Sequence, residues 1–239
     1  MRASLIVPAR NEVEFINTFL ERLSENVSSL VEVLIIVDDR NDLTLSAIRS
    51  IPYKNLDIRK LVSTYGPGPA NAIKFGFAAA RTNIAIVTMA DGSDDPKIID
   101  DLILLVERGC AVVAASRYMP GGQQIGGLWF KKKLSRNSSR ILKTFARIAT
   151  HDATNSFKAY SIPFVKSVGI HSNKGFAMGL ELTVKAHRSK LLIAELPTIW
   201  IDRSLGESSF QMRKWIPQYL RWFFYAFGIK AFARIGKLK

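Results

Sequence analysis

Cysteine is almost absent from the 239 residues, with Cys110 the single example. One thiol makes neither an internal disulfide nor a thiolate zinc site, and it fits a reducing compartment. The three histidines, His151, His171 and His187, show no metal-ligand spacing and no Ser-His-Asp order. Long apolar runs are missing too. The longest, such as Leu34 to Val37 and Trp222 to Ile229, fall short of the ~20 residues that a spanning helix needs. The first apolar run is too short for a signal peptide and ends in Pro8-Ala9-Arg10-Asn11-Glu12, so a cytoplasmic chain is expected. Acid is scarce as well: 20 Asp and Glu stand against 34 Lys and Arg, a formal charge of +14. Such an excess calls for an anionic partner, whether phosphate, nucleic acid or lipid headgroups.

What is present is a regular alternation. With 48% hydrophobic residues the chain can bury one sizeable core, and no long linker interrupts it. Ser4 to Pro8, Glu32 to Val37, Ile58 to Ser63, Ile84 to Thr88 and Ala111 to Ala115 read as buried strands. Glu14 to Leu23, Ala70 to Ala80 and Lys97 to Arg108 read as the helices between them. Strand, helix, strand at this spacing predicts a doubly wound α/β sheet, mostly parallel, with helices on both faces. After Ser116 long basic helical segments follow, broken by short strands near Phe157 to Tyr160 and Leu192 to Ile201.

Polar residues gather just after the strands, and open α/β sheets bind ligands at that carboxyl edge. Asp38 and Asp39 end a strand, where they can accept hydrogen bonds from a ribose or base or cap a turn. Gly66-Pro67-Gly68-Pro69 opens a helix but lacks the third glycine of a dinucleotide fingerprint. Asp91, Asp94 and Asp95 suit a hard divalent cation bridging a diphosphate, and suit a capped helix start equally well. From Tyr118 to His151 there is no acid, while Lys131, Lys132, Lys133, Arg136, Arg140, Lys143 and Arg147 all occur. A solvated face normally mixes charge signs, so this stretch points to phosphate or a membrane. Arg213 to Lys239 adds seven basic residues, no acid and an aromatic series that includes Trp222, Phe223 and Phe224, the composition of an amphipathic interfacial helix.

Ile6 to Glu12, Val37-Asp38-Asp39, Ala90-Asp91-Gly92, Ala115-Ser116-Arg117-Tyr118 and Arg203 to Ser208, in that order, resemble family 2 glycosyltransferases of the GT-A fold. Within that family the sequence is most similar to enzymes that load mannose or glucose onto dolichyl or another polyprenyl phosphate. The resemblance implies that Pro8, Ala9, Asn11, Glu12, Asp38 and Asp39 line the nucleotide pocket. It implies that Asp91 is the last carboxylate of the Asp-x-Asp metal motif, holding Mg2+ or Mn2+ with Ser93 and Asp94. Arg117 and Arg203, with one or more of Lys132, Lys133, Ser135 and Arg136, would hold the donor diphosphate and the acceptor phosphate. Asp91, Arg117 and Arg203 are thus the expected catalytic residues. Asp152 opens a turn similar to one of the family, and Glu181 matches a glutamate that faces the site. Met89 departs from the pattern, standing where the metal motif has its first aspartate.

The expected protein is therefore a catalytic domain over residues 1–210 followed by a membrane-surface helix over 211–239. It would be a peripheral enzyme on the cytoplasmic face of a membrane. The expected reaction is an inverting transfer of a hexose from a GDP-mannose or UDP-glucose type donor to a polyprenyl phosphate, whose anion needs no strong base. No nucleic acid is expected, and a membrane-protein partner or self-association is left open. The rival enzyme glycosylates a hydroxyl of a cell-surface glycan, with Glu181 or Asp152 as the base. A degenerate transferase scaffold, suggested by Met89, and a basic nucleic-acid-binding protein are the other rivals.

Overall fold

A computed structural model describes residues 1–202 and 212–229, with residues 212–215 given by backbone alone. β1 (Ala3–Pro8) and β2 (Val31–Val37) are buried at every position, as strands covered on both faces must be. The other strands of the main sheet are β3 (Leu56–Val62), β4 (Ile84–Val87), β5 (Val112–Ser116), β7 (Lys158–Ser161) and β8 (Ile193–Pro197). Their order is β3-β2-β1-β4-β7-β5-β8. A separate ribbon pairs β6 (Gln123–Ile125) with β9 (Ile199–Ile201), in parallel.

Every neighbouring pair of the main sheet is parallel except those made by β7, which runs antiparallel between β4 and β5. The reason is the path of the chain. β5 ends at the carboxyl edge, the chain builds β6 and α5 (Trp129–Phe145) there, and it re-enters the sheet from that same edge. Without a crossover, the returning strand must be antiparallel. This inversion brings the 152–156 turn directly beside the end of β5.

Helices cover both faces as expected. α1 (Ile16–Asn26) and α4 (Ile99–Glu107) pack into one core, while α3 (Pro69–Ala79), α6 (Ile162–Val168) and α7 (Met178–Arg188) pack into the other. A short helix α2 (Thr44–Ala47) follows β2. The helix predicted over Lys97 to Arg108 is a 3-10 turn at Pro96–Ile98 leading into α4. Asp95 caps it, accepting the Lys97 amide at 3.2 Å, so this aspartate serves the helix start.

The C-terminal helix, α8 (Met212–Ala226), is seated on the body. Trp222 and Ala226 form a third core with Leu142 of α5 and with Leu180 and Val184 of α7. The Trp222 indole also donates to Ser172 Oγ at 2.8 Å. Residues 203–211, which hold the Arg203 to Ser208 motif of the expected catalytic domain, and 230–239, part of the span expected at the membrane, lie outside the described residues.

Candidate active site

The ends of β1 and β2 form one rim. Pro8 and Ala9 are buried, and the Ala9 amide donates to the Ile36 carbonyl at 2.9 Å, continuing the ladder past the strand. Asn11 turns the chain with φ of 55° and donates its amide to Asp42 Oδ2 at 3.0 Å. The Glu12 amide is held by Thr44 Oγ1 at 3.0 Å. Asp38 Oδ2 accepts the Gly68 amide at 2.7 Å, tying β2 to the glycine loop that starts α3. Asp39 is exposed and accepts the Asn41 amide at 2.9 Å. Both aspartates therefore shape turns, the alternative that Asp also favours.

At the end of β4 the three candidate metal ligands separate. Asp91 and Ser93 face a common cavity, with the Ser93 amide donating to Asp91 Oδ1 at 3.0 Å. Asp94 turns inward. It accepts Thr88 Oγ1 and the Met89 amide, each at 3.1 Å, and burial together with the Asp91 charge raises its pKa to about 7. Asp94 is thus a buried brace of the loop and does not line the cavity that Asp91 and Ser93 face. No cluster of three or more His, Cys, Asp or Glu occurs among the described residues that would hold an ion alone. One carboxylate facing a cavity fits an ion that arrives with a diphosphate and takes its other ligands from phosphate and water.

Arg117 follows β5 and pairs with Asp152 from the 152–156 turn. Its Nε donates to Oδ2 at 2.7 Å, its Nη2 to Oδ1 at 3.1 Å, and its own amide to Oδ2 at 3.1 Å. Asp152 is fully buried. Burial would lower the Arg117 pKa, but the Asp152 charge and hydrogen bond outweigh it and hold the guanidinium above its ordinary value. Ser135 of α5 joins this pair. Its Oγ lies 3.3 Å from Arg117 Nη2, 3.0 Å from the Tyr118 hydroxyl and 2.6 Å from Thr154 Oγ1. Lys132 reaches the Gln124 carbonyl at 2.9 Å.

A cavity of about 710 Å³ joins these parts. Polar groups of Glu12, Asp91, Ser93, Arg117, Lys131, Lys132, Ser135 and Asn155 line it. Apolar residues line it as well, Leu128, Leu134 and Ile141 around α5 and Ile216, Leu220 and Phe223 of α8. Lys133 and Arg136 do not line it. Arg136 lies over the Tyr118 ring at 6.0 Å, and Lys133 is exposed. Glu181 is also elsewhere. Buried in α7, it accepts the His171 and Ser172 amides at 2.6 and 2.7 Å and the Lys185 ammonium at 2.5 Å. Burial would raise its pKa, but Lys185 and those amides outweigh it and keep the carboxylate ionised. Glu181 braces α7 and does not face the site. Arg203 lies outside the described residues.

The sequence reading missed Tyr118, Gln124, Trp200 and Asp202, all of which line the cavity. Tyr118 and Asp202 adjoin the expected arginines, so their positions carried a signal. Gln124 and Trp200 carried none, because their side chains reach the cavity only through the pairing of β6 with β9.

The family model described as glycosyl transferase family 2 matches residues 4–169. A polyprenol monophosphomannose synthase of Mycolicibacterium smegmatis is 25% identical over 213 residues, covering 87% of this chain and 80% of that protein. A dolichol-phosphate mannosyltransferase of Pyrococcus furiosus is 27% identical, covering 92% of this chain, which spans 62% of that longer protein. An undecaprenyl-phosphate mannosyltransferase of Micrococcus luteus is 27% identical, covering 87% of each chain. Among solved structures, glucosyl-3-phosphoglycerate synthase from Mycobacterium tuberculosis with uridine diphosphate superposes with a TM-score of 0.67 at 17% identity, over 95% of this chain and 80% of that one. The same enzyme crystallised with Mn2+, uridine diphosphate and its product gives 0.66 at 16% identity, over the same shares of the two chains. The fold is that of GT-A enzymes, and the chain belongs to glycosyl transferase family 2 as a glycosyltransferase.

Proposed function

We propose that this glycosyltransferase moves a hexose from a nucleotide sugar to a polyprenyl phosphate at the cytoplasmic face of a membrane. The observation that carries the reading is the continuity of the cavity, which runs from Asp91 and Arg117 to an apolar cleft between α5 and α8. A soluble sugar acceptor has no use for such a cleft, whereas a prenyl chain buries about 0.8 kcal/mol per CH₂ in one. The names of the three curated relatives agree, and they make a mannose nucleotide the first donor to expect.

Glu12 lines the cavity, and the rim formed by Pro8, Ala9, Asn11 and Asp39 is where the nucleotide would sit. Asp91, with Ser93 beside it, would hold Mg2+ or Mn2+ delivered with the donor. When bound, the ion neutralises charge on the diphosphate leaving group. Arg117, Lys132 and Ser135 present cationic and hydroxyl donors where the acceptor phosphate would lie. That phosphate is already an anion near neutral pH, so alignment behind the anomeric carbon and charge stabilisation suffice. The engagement of Asp152 by Arg117, and of Glu181 by Lys185, disfavours the rival reaction on a glycan hydroxyl. Both carboxylates proposed as its base are buried ion-pair partners.

The membrane face includes α5 as well as α8. Trp129, Phe130 and Phe145 of α5 are exposed, as are Lys133, Arg136 and Arg140, and no acid lies on that helix. Such a surface suits an anionic leaflet. The test is to incubate the protein with radiolabelled nucleotide sugars, Mg2+ or Mn2+ and a polyprenyl phosphate in vesicles, then to count label extracted into organic solvent. Label in the lipid phase supports the reading. Donor consumption with no lipid label moves the acceptor to a hydroxyl compound and rejects it.

A further inference from the structure

Lys158 is a fully buried lysine that the proposed chemistry does not use. It opens β7, the inverted strand, and its Nζ donates to the carbonyls of Ala153 at 2.8 Å, Asn155 at 2.6 Å and Gly179 at 3.5 Å. The first two lie in the 152–156 turn, which carries Asp152 and the cavity-lining residues Thr154, Asn155 and Ser156. The third lies in the first turn of α7. A Cβ on Gly179 would stand 3.1 Å from the Asn155 carbonyl oxygen, a tight contact, and 3.6 Å from Lys158 Nζ, so α7 packs closely on the turn at this glycine.

The charged groups that act on the ammonium are Asp152 and Arg117, while α7 offers it the Gly179 carbonyl. The Asp152 carboxylate is engaged by Arg117, so no ion pair balances Lys158 among the described residues. Burial pushes its pKa down to about 7, with Asp152 opposing and Arg117 adding to the shift. An ammonium has three donors, and three carbonyls receive them. A neutral amine has only two donors and turns its lone pair on a carbonyl oxygen, leaving a buried acceptor unsatisfied.

We propose that Lys158 is a positioning residue: through the carbonyls of Ala153 and Asn155 its ammonium fixes the turn that aims Asp152 at Arg117 and forms the cavity wall at Thr154 and Asn155. Transfer is then fastest with Lys158 protonated. This inference rests on the transferase reading for its kinetic consequence only, because the order of the turn can be observed without turnover.

The experiment compares the full-length wild type with Lys158→Arg and Lys158→Met. It measures kcat and the donor KM from pH 6 to 10, and follows the amide resonances of Thr154 and Asn155 across the same range. In the wild type kcat falls toward alkaline pH with a midpoint below the ordinary lysine value, and the two amides shift with the same midpoint. Lys158→Arg, a cation that does not titrate in this range, loses both the alkaline decline and the amide shift. Lys158→Met lowers kcat at pH 6.5 by roughly 10- to 100-fold, the scale of a misplaced catalytic group, with donor KM nearly unchanged. Wild-type kcat in Lys158→Met, or an unaltered alkaline decline in Lys158→Arg, overturns the proposal. If Lys158→Met does not fold, the wild-type and Lys158→Arg titrations decide. If the wild type transfers no sugar to lipid, the polyprenyl phosphate reading fails, and the amide titration still accepts or rejects Lys158.

Discussion

At the scale of residues, Asp91 and Asp152 show how neighbouring carboxylates at one sheet edge divide their work. Asp91 keeps a face on the cavity, while Asp152 is buried and fully occupied by Arg117. Asp91→Asn is therefore expected to leave the melting temperature nearly unchanged and to slow transfer on the order of 10²-fold or more, the scale of losing one preorganised charge-stabilising group. Steady-state assays with saturating Mn2+ check this, and turnover near the wild-type value would remove Asp91 from the metal site. Asp152→Ala has a different signature. It strands the Arg117 guanidinium in the interior, at a cost of about 3–5 kcal/mol in unfolding free energy, read from urea titrations. A loss under 1 kcal/mol would mean that Arg117 finds another partner or water.

At the scale of elements, α5 has two faces with separate tasks. Ser135, Ser139 and Leu142 turn inward to the site and the third core. Trp129 and Phe145 are 72% and 73% exposed, so replacing them removes almost no packing. Burying such a ring in a bilayer interface is worth about 1.5–3 kcal/mol each. The double variant Trp129→Glu/Phe145→Glu is expected to melt like the wild type and to bind anionic vesicles at least 10²-fold more weakly in co-sedimentation. Unchanged co-sedimentation would assign the membrane contact to α8 and the residues beyond it alone.

At the scale of the whole molecule, the charge of +14 acts over distances set by salt. The screening length falls from about 10 Å at 0.1 M to about 3 Å at 1 M ionic strength. Each basic residue near an anionic leaflet contributes about 1 kcal/mol at low salt. Vesicle binding is therefore expected to fall steeply between 0.1 and 0.5 M salt when the lipid is anionic, and to be weak throughout when it is zwitterionic. Fluorescence titration against both vesicle types checks this, and salt-independent binding would make the aromatic contacts the whole of the attraction.

The sequence by itself determined the α/β class, the positions of the first five strands along the chain and the family, because each rests on local pattern. Buried runs such as Val31 to Val37 have one way to be covered on both faces, and the ordered motifs from Ile6 to Tyr118 sit at strand ends where the chain must turn. Asp91, Ser93 and Arg117 sit at such strand ends, Lys132 and Ser135 were named through the family resemblance, and all five line one cavity. The tertiary structure alone decided where side chains point when two elements distant in sequence compete for them. Asp94 turns to Thr88, Glu181 to Lys185, Arg136 to the Tyr118 ring and Lys133 to solvent. The inversion of β7 and the three-carbonyl seat of Lys158 were likewise invisible, since a strand's direction depends on the edge from which the chain returns. Periodicity records which faces are buried, and only the assembled chain fixes what a buried charge finds there.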